Sequence, residues 1–211
     1  MRTLLTIILL FVTESVSYQQ SILNPIIVSY NSEEFVDFWE AYNHVRKWEG
    51  NYSNLPFDKG GETYGGITRN FNKGWNGWED FDKHKQDCVV YWNKHIPELE
   101  KWVEDYYYTR WVNDGYDLLN NQAIANYLFD YRNTGIIAYK HVNQILKSKG
   151  YKVDVTYNMD NNTINALNNI PSEIFIKDLR RVRKNYYYGV VERNPQLKIY
   201  LNGWIKRAND L

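Results

Sequence analysis

A long amphipathic segment that stops at a glycine constrains this fold most. Asn31 and Ser32 offer N-cap oxygens, acidic residues follow in the first turn, and Gly50 ends the pattern. In between, large apolar residues recur every three or four positions, the spacing of one helix face. These residues are Phe35, Phe38, Trp39, Tyr42, Val45 and Trp48. The sequence therefore predicts a helix that begins near residue 32 and carries Glu49 in its last turn.

The next segment, Asn51 to Gly77, is rich in Asn, Gly and Pro, with short β-compatible pieces at 62–64 and 67–69. This composition predicts loops and a small hairpin. Helical periodicity then returns over 83–93, 97–111, 122–133, 137–149, 172–188 and 195–208, with a loop over 150–162. We therefore expect a mainly α protein with a small β/loop region after the first long helix.

The N-terminus resembles a secretory signal peptide over residues 1–17. Arg2 precedes an apolar run at 4–12, and Ser15 and Ser17 are the small residues that a cleavage site needs. An uncleaved anchor is the alternative, but a run of nine residues is too short to span about 30 Å of hydrocarbon. We expect a secreted or periplasmic protein, with a lead-in segment at 18–31 and no stable membrane insertion after signal cleavage.

Charge and metal-ligand spacing exclude several classes of function. Lys and Arg number 25, as do Asp and Glu, so the basic excess that nucleic-acid binding requires is missing. The basic run 177–184 is interpreted as a solvated helix face. The four histidines lie far apart and Cys88 is the only cysteine, so no zinc motif is present and Cys88 is expected to be a buried helix residue. We expect a monomer without metal or cofactor.

Two carboxyl groups flank the glycine-rich loop. Asp58 follows Glu49 by nine residues, and glycoside hydrolysis uses one protonated carboxyl as acid and one ionised carboxylate as nucleophile or base. Trp48 precedes Glu49 and would desolvate it, which favours the acid role; Asp58 lies in a polar loop that would keep it ionised. Thr63 is placed to hold the attacking water. Glu62 is a rival second carboxylate, and the spacing alone does not rank the two.

Several separated motifs make the chain similar to the bacterial and phage lysozymes of glycoside hydrolase family 108. The family's Glu-Gly-Gly-Tyr appears as 49–52 (EGNY), its DPGGxT-like loop as 58–63 (DKGGET) and its Gly-Ile-Thr as 66–68. Downstream, Tyr107 and Trp111 match a YxxxW helix, 129–135 (FDYRNTG) matches a helix end, and 203–207 (GWIKR) matches the closing GWxxR. The resemblance covers roughly 35–207.

This resemblance implies a lysozyme-like helical fold and an N-acetylmuramidase that cleaves peptidoglycan glycan strands. It implies Glu49 as catalytic acid, with Asp58 and Thr63 in supporting catalytic roles by analogy with phage-type lysozymes. The residues assigned to substrate binding are Tyr52, Glu62, Tyr64, Asp130 and Asn133. Asp130 and Asn133 lie one helical turn apart before Gly135, and a satisfied helix-end pair is the alternative for them.

The sequence departs from the family pattern at two places. Asn51 stands where the hallmark has its second glycine, and asparagine tolerates the left-handed conformation. The DGxxGxxT loop of the family's peptidoglycan-binding region is replaced by 154–163 (DVTYNMDNNT), which has no glycine. The expected domain order is a catalytic region over 32–121 and a helical C-terminal lobe over 122–211 that resembles the peptidoglycan-binding region.

The predicted activity is hydrolysis of the β-1,4 bond between N-acetylmuramic acid and N-acetylglucosamine. The alternatives are a lytic transglycosylase, in which the muramic 6-hydroxyl replaces water, and a catalytically idle wall-binding module. The stereochemical outcome depends on the separation of the two carboxyl groups, about 5 Å for retention and about 6.5–9.5 Å for inversion.

Overall fold

The computed structural model of the protein describes residues 36–55, 59–91 and 96–210. The signal peptide, the lead-in segment, the proposed caps at Asn31 and Ser32, Asp58 and His95 all lie outside the described residues. The described residues belong to one compact unit that begins at Val36.

The first described helix, α1, spans Phe38–Trp48, so the prediction of one helix continuing from residue 32 is wrong. The helix begins at Phe38 because Asp37 has an extended backbone and forms the N-cap with its carboxylate, which accepts from the Trp39 amide at 2.8 Å. Phe38, Tyr42 and Val45 face the core as predicted. Trp39 belongs to the same stripe but is 51% exposed.

Three short antiparallel strands follow α1. They are β1 (Tyr52–Ser53), β2 (Thr63–Tyr64) and β3 (Ile67–Thr68), paired in the order β1-β2-β3. The predicted hairpin is thus present, with one additional strand. Pairing places Tyr52, Tyr64 and Ile67 on the inner face, and Ser53, Thr63 and Thr68 on the outer face.

The remaining helices follow in chain order. They are α2 (Gly77–Val90), α3 (Pro97–Asn113), α4 (Gln122–Arg132), α5 (Ile137–Ser148), α6 (Asn161–Leu167), α7 (Ser172–Arg193) and α8 (Lys198–Ala208), with 3₁₀ turns at Tyr116–Leu118 and Pro195–Leu197. Helix α2 begins six residues before the predicted position 83 because Trp78 and Phe81 are buried in its first turns. Helix α7 continues past the predicted 188 to Arg193.

Helix α4 lies at the centre of the fold. Every residue from Ile124 to Tyr131 is buried, and the helix contacts α1, α5 and α7. Phe129 makes edge-to-face ring contacts with Phe38, Trp111 and Tyr116, at centroid distances of 5.1–6.2 Å. Many of the aromatic residues that dominate the composition are therefore core, and this core holds the ends of α1 and α4 in fixed positions.

Two smaller expectations have clear outcomes. Cys88 is 2% exposed on α2, as predicted. The basic run 177–184 is not a solvated face throughout, because Arg183 is 1% exposed. Within the described ranges, no helix is long and apolar enough to cross a membrane.

Candidate active site

Glu49 caps the C-terminal end of α1 and lies against the turn between β2 and β3. Its amide donates to the Val45 carbonyl at 3.1 Å, which fixes the end of the helix. Gly66 in the turn has φ +83°, and a Cβ at this position would lie 3.0 Å from Glu49 Oε2 and 2.5 Å from Tyr107 Oη. Only glycine permits this approach. The turn and α3 therefore close on one side of the Glu49 carboxyl group.

Tyr107 of α3 forms the floor beneath this turn. Its hydroxyl donates to the Gly65 carbonyl at 3.1 Å. Burial, and next the charge of Glu49, raise the pKa of Tyr107 well above its usual range, so the hydroxyl stays protonated and remains a donor. Tyr107 thus holds the turn in place beside Glu49.

On its other side Glu49 is paired with Arg207 of α8. Arg207 Nη1 lies 2.8 Å from Glu49 Oε1, and the two side chains are 17% and 20% exposed. The same guanidinium contacts Asp130 Oδ1 through Nε at 2.8 Å and Nη2 at 2.7 Å. Burial alone would lower the pKa of Arg207, but Glu49 and Asp130 outweigh it and raise the pKa, so Arg207 is a permanent cation. One guanidinium therefore bridges two carboxylates.

Asp130 lies in the interior, 0% exposed. Its Oδ2 is 2.7 Å from Arg183 Nη1, and Arg183 Nε donates to Tyr187 Oη at 2.9 Å. The Arg183 guanidinium also lies over the rings of Tyr127 and Tyr131, at 5.5 and 4.9 Å from their centroids. Asp130 was expected to face the substrate; the structure gives it two arginine partners and no solvent contact, so we remove it from the substrate-binding set.

Thr63, the proposed water-holding residue, lies on the outer face of the sheet. Its hydroxyl donates to the Gly61 carbonyl at 3.3 Å, and Ser53 and Thr68 flank it on the neighbouring strands. The three hydroxyl groups form a polar row on this face. Asp58, the other carboxyl group of the predicted pair, lies outside the described residues.

Glu62 is held between two cations. Lys85 Nζ lies 2.6 Å from Oε1 and Arg69 Nε lies 3.2 Å from Oε2. The hydrogen bond that Lys85 donates to Glu62 raises the pKa of Lys85. Tyr52 reaches Oε1 at 3.5 Å and stacks its ring on Phe81 at 5.8 Å. The rival carboxylate is thus part of a network that includes a predicted substrate-binding tyrosine.

Tyr64 is 0% exposed and lies in the core. Its hydroxyl donates to Glu100 Oε1 at 3.1 Å, and Glu100 Oε2 is paired with Arg46 at 2.9 Å. Arg46 also donates to the Asn51 side chain at 3.1 Å. Tyr64 supports the sheet from its inner face, and we remove it from the substrate-binding set as well.

Asn51 does not take the left-handed conformation that its place in the motif permits. Among the described residues, only glycines have positive φ. Its carbonyl instead accepts from the Gly65 amide at 2.8 Å, which ties the end of α1 to the β2–β3 turn.

Two cavities lie on the surface near these residues. The larger, about 580 Å³, is lined by 71–76, α3 and Arg132, and contains Trp75, Trp102, Tyr106 and Arg110. The smaller, about 290 Å³, is lined by Asn133, Thr134, Arg183, Tyr186, Tyr187, Val190, Trp204 and Arg207. Asn133 accepts from Arg110 Nη1 at 2.8 Å, so this pair stands between the two cavities.

The predicted set misses Arg207 and Arg110. Arg207 ends the closing GWIKR motif, and the signal that would have found it is the need of a buried Asp130 for a cationic partner. Arg110 lies at a variable position of the YxxxW helix, so no motif points to it. Among the described residues, no group of three His, Cys, Asp or Glu is placed to bind a metal ion.

Comparison with known proteins identifies two family segments in the chain. The family model described as Glycosyl hydrolase 108 matches residues 42–135, which include Glu49 and the glycine-rich loop. A second model, Predicted Peptidoglycan domain, matches residues 137–209. The chain thus contains a glycosyl hydrolase family 108 segment followed by a peptidoglycan segment. It is a glycoside hydrolase that acts on peptidoglycan.

A solved structure shares the fold of this chain. SagA from Brucella abortus aligns with a TM-score of 0.58 and 19% identity, over 82% of this chain and 90% of that chain. The mainly α, lysozyme-like fold is confirmed. None of the curated proteins compared with this sequence matches it.

The two matched segments meet at residue 136, in the turn between α4 and α5. The boundary between 121 and 122 stays a prediction, because both segments belong to one compact unit.

Proposed function

We propose that this chain is an exported N-acetylmuramidase that hydrolyses the β-1,4 bond between N-acetylmuramic acid and N-acetylglucosamine. The observation that carries the proposal is the placement of Glu49, within the family 108 segment, at the junction of α1, the β2–β3 turn and α8. The Glu49 side chain is 20% exposed, so it is partly accessible to solvent while neighbours hold its carboxyl group on two sides.

Glu49 acts as the general acid that protonates the glycosidic oxygen. Arg207 contacts Oε1, so we assign the proton to Oε2, the oxygen on the side of the β2–β3 turn. Transfer of this proton lets the sugar leave without a developing alkoxide charge. The remaining step is attack of water on the anomeric carbon.

Asp58 orients or activates this water, with the hydroxyl of Thr63 as a further partner. The outer-face position of Thr63 supports its part, since its hydroxyl donates to the Gly61 carbonyl and its oxygen can still accept a hydrogen bond from a water above the sheet. Glu62 is disfavoured as the second carboxylate, because Lys85 and Arg69 already occupy its two oxygens.

Tyr52, Glu62 and Asn133 remain the proposed substrate contacts. The two cavities beside the Arg110–Asn133 pair offer aromatic and amide side chains, the combination that stacks on sugar faces and binds N-acetyl groups. We place the enzyme outside the cytoplasmic membrane, secreted or periplasmic, where peptidoglycan is found, and propose that it acts as a monomer.

The deciding variant is Glu49→Gln. It should lower the release of reducing ends from purified sacculi by about 10²–10⁴-fold, because the amide has no proton to donate, while circular dichroism stays unchanged. Glu79→Gln on α2, whose side chain is 83% exposed, is the matched control and should retain full activity. A folded Glu49→Gln enzyme with wild-type activity would refute the proposal.

Product analysis separates the alternatives. Mass spectrometry of the digest should give hydrated N-acetylmuramic acid ends; anhydro ends would instead identify a lytic transglycosylase. Binding to sacculi without any release of fragments by the wild-type protein would identify a wall-binding module.

A further inference from the structure

The ion pairs around Glu49 join the two halves of the chain that the family models match separately. Glu49 and Asp130 belong to the glycosyl hydrolase segment, 42–135. Arg183 and Arg207 belong to the peptidoglycan segment, 137–209. A cation 2.8 Å from the proposed catalytic acid is thus supplied by the segment that is described as a peptidoglycan domain.

The geometry of Arg207 is that of a rigid connector. Its guanidinium presents Nη1 to Glu49 and both Nε and Nη2 to Asp130. Asp130 is in turn held by Arg183, which is 1% exposed and stacked on tyrosine rings. The carboxyl group of Glu49, on the rim of the core, is therefore anchored through two ion pairs to a fully buried charge.

We propose that Arg207 is a positioning residue for Glu49, and that the C-terminal segment completes the active site instead of serving only to bind the wall. This inference rests on the role of Glu49 under Proposed function. Arg207 holds the side-chain torsions of Glu49 at fixed values, so that Oε2 points toward the β2–β3 turn and the bound glycosidic oxygen.

Arginine is required at this position because the contact is forked. A planar guanidinium can serve two carboxylates in fixed directions, whereas the lysine ammonium is a point charge on a flexible stem. Lysine would keep the charge beside Glu49 and lose the fixed angle. A comparison of Arg207→Lys with Arg207→Met therefore separates the effect of the charge from the effect of the fixed orientation.

The experiment compares full-length Arg207→Met and Arg207→Lys with Lys206→Met, an exposed cation on the same helix that lies over Trp48. Readouts are kcat and KM on solubilised peptidoglycan strands, and sedimentation with sacculi. Both Arg207 variants should lose about 10- to 100-fold in kcat, because a misplaced acid is costly, with KM and sacculus binding near wild type. Lys206→Met should behave as wild type.

Wild-type kcat in either folded Arg207 variant overturns the inference. So does weakened sacculus binding with unchanged kcat, which would make Arg207 a wall-binding residue. If Arg207→Met does not fold, Arg207→Lys decides alone, since full kcat with lysine excludes a need for the fork. Glu49→Gln run in parallel separates the two proposals: an inactive Glu49→Gln beside an unaffected Arg207→Lys rejects only the role of Arg207.

Discussion

Asp130 and Glu62 each sit between two cations, yet the two regions differ in their exposure to water. Asp130 is 0% exposed, and its partners Arg183 and Arg207 are 1% and 17% exposed. Glu62 is 14% exposed, and its partners Arg69 and Lys85 are 28% and 49% exposed. Each network thus pairs one carboxylate with two cations, but the Asp130 network lies in the interior and the Glu62 network lies at the surface.

The difference decides what each network does. In the interior, charges that lose a partner cannot be solvated, so the arrangement is fixed and breaking it is costly. At the surface, water and salt replace a lost partner at little cost. The interior network is suited to hold Glu49 in one position, whereas the Glu62 network can rearrange when a substrate approaches.

The largest expected effect is that of Asp130→Asn. It leaves Arg183 buried beside a neutral amide, and we expect a loss of about 3–5 kcal/mol in the free energy of unfolding, measured by urea denaturation. Asp154→Asn, an exposed aspartate in the loop before α6, is the control and should be neutral. A loss below about 1 kcal/mol for Asp130→Asn would contradict this expectation, because the interior network would then contribute no more than an ion pair at the surface.

An intermediate effect is expected from pH. Burial lowers the pKa of His44, beside the interior network, below 6.5; Asp130 and Asp210 only partly offset this. The unfolded chain then binds the proton first, so stability is complete above pH 6.5 and falls as pH drops below that value. In the surface network, the hydrogen bond from Arg69 lowers the pKa of Asp82, and that contribution is lost only below pH 3.8.

Urea midpoints measured across this range test the assignment. His44→Gln should flatten the decline below pH 6.5 and leave the decline near pH 3.8 in place. An unchanged slope below pH 6.5 in His44→Gln would show that the acid sensitivity arises elsewhere.

The smallest effect on stability is expected for Glu62→Gln. Arg69 keeps its pair with Asp82, so the free energy of unfolding should fall by at most about 1 kcal/mol. Activity should also stay within about threefold of wild type if Asp58 is the second carboxylate. A loss as large as that of Glu49→Gln, with the fold intact, would transfer the role to Glu62.

Local pattern predicted much of the fold. The period of the apolar residues gave α3, α4, α5 and α8 to within a few residues, because packing on one face requires that period. The helix that ends at Glu49 followed from the same stripe and from Gly50. Its start was missed, because Asp37 is a stronger N-cap in its tertiary setting than the sequence indicates, with its amide donating to Gln122 of α4.

Patterns along the chain were sufficient to predict the mainly α class and the position of Glu49 at a helix end before a glycine-rich turn, since these depend on neighbouring residues. Which polar residues are buried became evident from the packing of the elements. This packing moved Tyr64 and Asp130 from the substrate to the interior, and Arg183 from a solvated face to the core. It also brought Arg207 to Glu49 across 158 residues (207 − 49) of sequence. The physical reason is that burial and ion pairing depend on which elements pack together, and a helical period specifies one face of a helix without naming its partner.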